Sequence, residues 1–164
     1  MISLRPLLFG GVGLFLISFR TVTAGDLTVA VVDGTAEALD RAVVTLMPQS
    51  GPSIESLPTV GAVMRQQGTM FHPFVLPVKT GTSVSFPNLD EFRHHVYSFS
   101  KAKRLELRLY GKDETNEIVF DQAGVVALGC NIHDNMLAYI FVTDDPFYTV
   151  SDSNGFANFE GLTP

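Results

Sequence analysis

The chain has 164 residues, of which 46% are hydrophobic and 17% charged, and its formal net charge is −6. This length fits one ordinary domain or two small ones, and the apolar content excludes an intrinsically disordered chain. The acidic balance, with no basic block, excludes the electrostatic footprint of a nucleic-acid-binding protein. The single cysteine, Cys130, excludes an internal disulfide and therefore needs another explanation.

The N-terminal segment has the pattern of a secretory signal peptide. Arg5 gives it a positive start, an apolar run follows over residues 7–19, and a small-residue cleavage signal ends at Ala24. The apolar run covers about 13 residues, whereas a membrane-spanning helix needs roughly 20. We therefore expect cleavage of residues 1–24, export to the periplasm, and no stable membrane span in the mature protein.

The rest of the sequence reads as almost wholly β. Short runs rich in Val, Ile, Thr and Phe alternate with turn residues, which is typical of a sandwich or Greek-key barrel. The predicted strands are Leu27 to Val32, Ala42 to Met47, Val75 to Lys79, Ser83 to Phe86, Val96 to Ser100, Leu105 to Tyr110, Glu117 to Phe120, Val125 to Leu128 and Met136 to Val142. The stretch Pro48 to Gly68 contains three prolines and turns polar, so it is predicted to be a linker.

Residues able to bind a metal concentrate in two segments. In the first, His94 and His95 enter a predicted strand; in the second, Cys130, His133 and Met136 follow one another with two residues between each and the next. One thiolate, two imidazoles and a weak axial methionine are the ligand set of a blue-copper centre. A tight loop between two strands can turn three of these side chains onto one ion, while a neighbouring strand supplies the second histidine.

At these residues the sequence resembles the cupredoxin family of blue copper proteins. Asn88 to Val96 is similar to the family's N-x-D-x-x-x-H-N-V segment, and the Cys130-to-Met136 loop is similar to the short ligand loop of amicyanins. The stretch from about Phe71 to Pro146 also resembles exported bacterial proteins labelled methylamine-utilisation or plastocyanin-like. The resemblance implies a Greek-key cupredoxin sandwich, copper as the cofactor, and the ligands His94, Cys130, His133 and Met136.

The sequence departs from this family at His95, where an asparagine is usual. His95 is therefore an alternative ligand, although the distance from Asn88 favours His94 and strand alternation would then point His95 to the opposite face. In that case His95 is expected to support the site from outside the ligand set. Asp134, next to His133, could add a carboxylate near the metal and favour copper storage or exchange.

The two flanks of the cupredoxin-like region resemble parts of a second fold. Leu27 to Pro48 and Phe147 to Pro164 are similar to the opening and middle of a carboxypeptidase-regulatory or transthyretin-like β-sandwich, which would continue with a further strand. The predicted division is a signal peptide (1–24), an N-terminal β segment with its linker (25–64), a cupredoxin domain (65–146) and a C-terminal β segment (147–164).

These features favour a periplasmic one-electron carrier with an unidentified redox partner. The alternatives are a copper-binding accessory or chaperone protein using the same residues, and a metal-free cell-envelope interaction module in which Cys130 is merely buried. The sequence contains no acid–base carboxylate pair, nucleophile triad or phosphate loop, so we do not expect an enzyme. Lys101, Lys103, Arg104 and Arg108 form a basic cluster that is either a solvated strand edge or a docking patch.

Overall fold

A computed structural model describes residues 25–49 and 59–162 of the chain. Within these ranges every regular element is a β-strand, so the prediction of an all-β protein is confirmed. The strands are Gly25–Ala30 (β1), Val43–Leu46 (β2), Ala62–Val63 (β3), Arg65–Gln67 (β4), Met70–His72 (β5), Val75–Lys79 (β6), Thr82–Pro87 (β7), His94–Phe99 (β8), Arg104–Tyr110 (β9), Thr115–Phe120 (β10), Gly124–Cys130 (β11), Leu137–Thr143 (β12), Phe147–Val150 (β13) and Phe156–Leu162 (β14).

The largest sheet has five strands in the order β6-β12-β11-β8-β9. The pairing of β12 with β6 is parallel, and the other pairings are antiparallel. Alternation along β11 shows how the sequence builds this sheet: Val126, Leu128 and Cys130 are buried, while the residues between them face outward. The last inward position of β11 is therefore the cysteine, which lies at the end of the sheet.

A three-stranded sheet, in the order β10-β7-β3, completes a sandwich around one hydrophobic core. Phe86 and Phe120 from this sheet are fully buried and pack with a ring-centroid distance of 6.4 Å. They belong to the same buried cluster as Leu128 and Ile140 of the five-stranded sheet. Burying side chains of this size contributes about 2 kcal/mol each, which holds the two sheets of the sandwich together.

The predicted linker from Pro48 to Gly68 is wrong over its second half. Ala62, Met64 and Gln66 are buried and alternate with exposed residues, and the segment forms β3 and β4. The period-2 pattern is hidden in the sequence because the buried Gln66 is polar and the exposed Val63 is apolar. The first part of that linker, residues 50–58, lies outside the described residues. The predicted domain boundary between residues 64 and 65 falls inside this edge of the sandwich.

The two flanks of the sandwich pair with each other. β1 runs antiparallel to β14, and β2 runs antiparallel to β13. Ala157 and Phe159 are buried there, outside the main core cluster. The flanks also contact the sandwich, because the Arg41 guanidinium lies 4.7 Å from the ring centre of Phe74. The division into domains stays a prediction.

The nine strands predicted from the sequence each overlap an observed strand, and Val75–Lys79 has the predicted bounds. The signal-peptide prediction falls on residues 1–24, outside the described part of the chain. Among the described residues, no helix has the length and apolar character needed to cross a membrane.

Candidate metal centre

His94 is held at the start of β8 by the loop that precedes it. Within this loop the buried Asn88 donates from Nδ2 to the carbonyl oxygens of Phe92 (2.7 Å) and Tyr110 (3.1 Å), and its Oδ1 accepts from the Asp90 N–H at 2.9 Å. These bonds satisfy a buried amide and fix the chain immediately before His94. The His94 side chain is fully buried and points into the sandwich.

Cys130 is the last residue of β11, and a tight loop carries the chain from it to β12. The Cys130 N–H donates to the Met136 carbonyl oxygen (3.2 Å), and the Met136 N–H donates to the His133 carbonyl oxygen (2.9 Å). The Asn131 N–H donates to the His95 carbonyl oxygen at 3.1 Å, which ties this loop to β8. The backbone therefore presents the cysteine and His133 from one compact turn beside the strand that carries His94.

The three side chains form a compact group of soft and borderline ligands. The Cys130 Sγ lies 3.8 Å from the Nδ1 of His94 and 3.8 Å from the Nδ1 of His133. One donor atom from each residue lies within 4.8 Å of the other two. In the part of the chain that the structure describes, this is the one group of His, Cys, Asp or Glu side chains that could hold a metal ion. A metal bonded to sulfur at about 2.3 Å and to nitrogen at about 2.0 Å in a trigonal plane would separate these atoms by about 3.7 Å. The donor set therefore fits a trigonal metal ion.

A carboxylate fixes the proton position on His94. The His94 Nε2 lies 2.9 Å from the Asp90 Oδ2, and the Asp90 carboxylate also accepts from the Gly68 N–H (2.6 Å) and the Thr69 N–H (2.9 Å). Burial acts to raise the pKa of Asp90, but the donors Thr69, Gly68 and His94 together leave that pKa below its ordinary value. An ionised carboxylate only accepts, so Nε2 carries the proton and Nδ1 keeps a free lone pair toward Cys130.

Met136 and Asp134 lie beside this group. Met136 is buried, with 1% of its surface exposed, and it lines the same cleft of about 240 Å³ as Cys130 and Asp134. Asp134 itself is exposed and is not a member of the His-Cys-His group among the described residues. The structure therefore places the Met136 thioether and the Asp134 carboxylate in residues that line one cleft with Cys130, and the lining of this cleft includes neither His94 nor His133.

The other two histidines lie away from the group. The His95 Nε2 is 3.1 Å from the Glu106 Oε1 on the outer face of the sheet, opposite to His94. His72 lies in β5 across from Arg65. The structure therefore brings His94 rather than His95 next to Cys130, as strand alternation predicts.

Sequence reasoning missed several residues around the group. Asp90 received no role, although its position four residues before His94 was the available signal. Tyr110 was also missed. Burial is the main cause that raises the pKa of Tyr110 to about 12. The hydrogen bond that Gln66 donates acts to lower this pKa, and the nearby Cys130 acts to raise it. The Tyr110 hydroxyl donates to the Phe86 carbonyl oxygen at 2.9 Å, and the register of β8 and β9 places Tyr110 opposite His94.

Among known proteins, this chain is similar to several solved structures. No protein-family model matches the sequence, and no curated protein matches it. A variant of amicyanin in the Cu(I) state is 19% identical over 53% of this chain and 86% of that chain, with a TM-score of 0.48. A purple cupredoxin from Nitrosopumilus maritimus is 21% identical over 50% of this chain and 99% of that chain, with a TM-score of 0.46. A copper-containing nitrite reductase from Thermus scotoductus is 25% identical over 61% of this chain and 27% of that chain, with a TM-score of 0.49.

Proposed function

We propose that this chain is a periplasmic copper protein with a type 1 site that carries one electron at a time. The observation that carries the proposal is the meeting of the Cys130 Sγ with the Nδ1 atoms of His94 and His133, at 3.8 Å each. One thiolate and two imidazoles in a plane, with a nearby methionine, are the ligands of a blue-copper centre. Met136 would supply the fourth, weaker contact.

Burial and hydrogen bonds within the chain would keep the ligands of such a site in fixed positions. The His94 side chain is fully buried and Cys130 is 5% exposed, so water has little access to the thiol. Asp90 orients one imidazole, and the backbone bonds between Cys130 and Met136 fix the loop. Copper bound there would supply a one-electron couple. A rigid ligand frame suits this role because it limits rearrangement between the two oxidation states.

The half-buried His133 is the member of the group closest to solvent. Its neighbour Ile132 is 48% exposed, and the adjoining loop exposes Phe92 at 62%. An apolar surround at the exposed ligand gives a partner protein a close approach to the site without the cost of burying charges. We propose electron exchange with a redox partner through this imidazole, and no enzymatic role.

A second candidate function is copper delivery or storage. It is favoured by the cleft that Asp134 shares with Cys130 and Met136, because an exposed carboxylate close to the ligand loop adds an oxygen donor that could take up a metal ion. The periplasmic location and the signal peptide are proposed from the sequence for both candidates. The methylamine-utilisation label of the similar sequences stays a prediction, since no residue here selects methylamine.

Repeated redox cycling in the presence of a chelator separates the two candidates. The copper-loaded protein is cycled with ascorbate and ferricyanide beside a membrane-impermeant Cu(I) chelator, and the bound copper is measured after each cycle. A carrier keeps its copper through the cycles, whereas a delivery protein loses it on the first reduction. The variant His72→Ala, which removes a histidine outside the group, is the matched control and is expected to behave as the unchanged protein.

A further inference from the structure

The outer face of β8 carries a row of aromatic side chains that ends in an exposed phenylalanine. Tyr97 and Phe99 lie at alternate positions of this strand, with ring centres 5.2 Å apart, and the His95 ring lies 6.2 Å from Tyr97. Phe99 is 77% exposed, whereas Tyr97 and His95 are partly buried. A cleft of about 290 Å³ runs along this row, and Leu105 of the neighbouring strand also lines it.

Positive charge borders this row on the β9 side. Arg104 and Arg108 are exposed at alternate positions of β9, and the register places Arg104 opposite Phe99. Glu106, the carboxylate between them, is engaged by His95 at 3.1 Å. Neither arginine has an ion-pair partner among residues 25–49 and 59–162. On a chain with a net charge of −6, this is a basic margin beside an apolar centre.

We propose that the β8–β9 face, defined by Tyr97, Phe99, Arg104 and Arg108, docks a protein partner with an apolar centre and an acidic rim. Aromatic side chains and arginines are the residue types that carry most binding energy in protein interfaces. The free arginines attract an acidic rim and orient it. A second copy of this chain, packed face to face about a two-fold axis, would bring like charges together, so the charges favour a different partner.

The face also approaches the metal centre, a link that rests on the function proposed above. The register pairs Tyr97 with Gly129, and a side chain on Gly129 would meet the Tyr97 ring at 2.9 Å. Gly129 precedes Cys130 in the chain, so a partner docked over Tyr97 sits one residue from the thiol. This approach is separate from the half-buried His133, and it would give the carrier a second contact surface.

The docking proposal is tested on the copper-free protein by nuclear magnetic resonance with two probes. The first is hexacyanochromate(III), a redox-inert paramagnetic trianion, and the second is a synthetic peptide in which Phe-Leu is flanked on each side by three glutamates. We expect line broadening by the trianion and shift changes by the peptide to centre on residues 95–108. The same peptide with lysines in place of the glutamates should leave these resonances unchanged.

Single charge reversals sharpen the test. Arg104→Glu and Arg108→Glu should each weaken peptide binding roughly tenfold, and Phe99→Ser should weaken it with no change in charge. Arg65→Glu, an equal change at an exposed arginine of β4, is the matched control and should leave binding within about twofold. The amide resonances outside the face show in the same spectra that each variant is folded.

Three results would overturn the docking proposal. The first is an Arg65→Glu variant that weakens binding as much as the two reversals on β9, and the second is perturbation by both probes that centres on the loop of Cys130 to Met136. The third is a concentration-dependent dimer that Phe99→Ser abolishes, because it would assign the face to a second copy. Copper is absent throughout, so failure of the copper proposal and failure of the docking proposal give different results.

Discussion

Asp90 decides which nitrogen of His94 is free to bind a metal. Its carboxylate accepts a hydrogen bond from the Nε2–H of His94, with 2.9 Å between nitrogen and oxygen, and also accepts from the backbone N–H groups of Gly68 and Thr69. A carboxylate on the outer nitrogen of a ligating imidazole raises the basicity of the inner nitrogen. The negative charge also favours the higher oxidation state of a bound metal.

Asp90→Asn is expected to raise the reduction potential of the copper-loaded protein. Loss of the negative charge weakens Cu(II) binding about tenfold, which corresponds to about 60 mV for a one-electron couple if Cu(I) binding is unchanged. Spectroelectrochemical titration measures the shift. Asp134→Asn, which removes a carboxylate at the cleft mouth, is the control and should move the potential less. Equal shifts in the two variants would show a general charge effect instead of a specific role for Asp90.

The adjacent histidines are expected to respond differently to removal. His94→Ala should lose the visible band of the copper-loaded protein, because it deletes a donor 3.8 Å from the thiol sulfur. His95→Ala should keep the band, since its Nε2 contacts Glu106 on the opposite face. Visible absorption after addition of one Cu(II) per chain compares the two variants. A band that survives in His94→Ala but not in His95→Ala would reverse the assignment.

For individual residues, the sequence predicts the candidate metal ligands better than the residues that hold those ligands in place. Strand alternation is enough to separate His94 from His95, because adjacent residues of a strand face opposite ways. The role of Asp90 depends on where the turn at Gly68 and Thr69 returns to the site, 21 to 22 residues away along the chain. The contact of Asp90 with His94 leaves a local pattern, a spacing of four residues, but the long-range contacts that anchor Asp90 leave none.

Among the elements, β11 has a glycine, Gly129, directly before Cys130, because the Tyr97 side chain of β8 occupies the space that a side chain at position 129 would need. An ideal Cβ built on Gly129 would lie 2.9 Å from the Tyr97 ring, closer than real side-chain contacts allow. The tyrosine therefore packs over the backbone of β11 directly next to Cys130. Only a residue without a side chain lets the two strands keep this arrangement unchanged.

Gly129→Ala is expected to destabilise the copper-free protein by about 1 kcal/mol through this overlap. Urea unfolding measures the change in the free energy of unfolding. Tyr97→Leu removes the ring atoms that the new methyl group meets, so the double variant should recover part of the loss. Additive losses in the double variant would mean that the ring is not the source of the effect.

Two of the strands that the sequence missed, β3 and β4, share a physical cause. In β3 and β4 the buried residues Ala62, Met64 and Gln66 alternate with outward residues, but two of the three are small or polar. A period-2 pattern is visible only when the inward residues are clearly apolar. The nine strands that were predicted each lie within a few residues of their observed bounds, whereas β5, β13 and β14 were not among the predicted strands.

For the molecule as a whole, the flanks add a paired unit to the sandwich that carries the site. Gly155 stands at a critical point of this unit, with a φ of 79° and an ideal Cβ 2.6 Å from the Val31 carbonyl oxygen. The Gly155 N–H donates to the Asp152 carbonyl oxygen, and the Gly155 carbonyl oxygen accepts from the Val31 N–H. These two hydrogen bonds stabilise the turn that leads into β14. The register of this pairing could not be predicted from the sequence, because β1 and β14 lie at opposite ends of the described part of the chain.

Gly155→Ala is expected to loosen the flanks while leaving the metal centre intact. The strained backbone and the overlap with Val31 together cost roughly 2 kcal/mol. Limited proteolysis should cut residues 25–49 and 147–162 faster than in the unchanged protein, with the same Cu(II) absorption. Gly161→Ala also has a positive φ but meets no atom within 4 Å, so it should have the smaller effect. Loss of the Cu(II) absorption in Gly155→Ala would show that the flanks are needed to form the site.

The central claim is that Cys130 is a thiolate ligand to copper in a site shared with His94 and His133. Titration of the copper-free protein with Cu(II), followed by visible absorption, tests it most directly. We predict an intense thiolate-to-copper band that saturates at one Cu(II) per chain and is absent from Cys130→Ser. The account would be contradicted if the unchanged protein bound no Cu(II) or gave no such band, or if the band survived in Cys130→Ser.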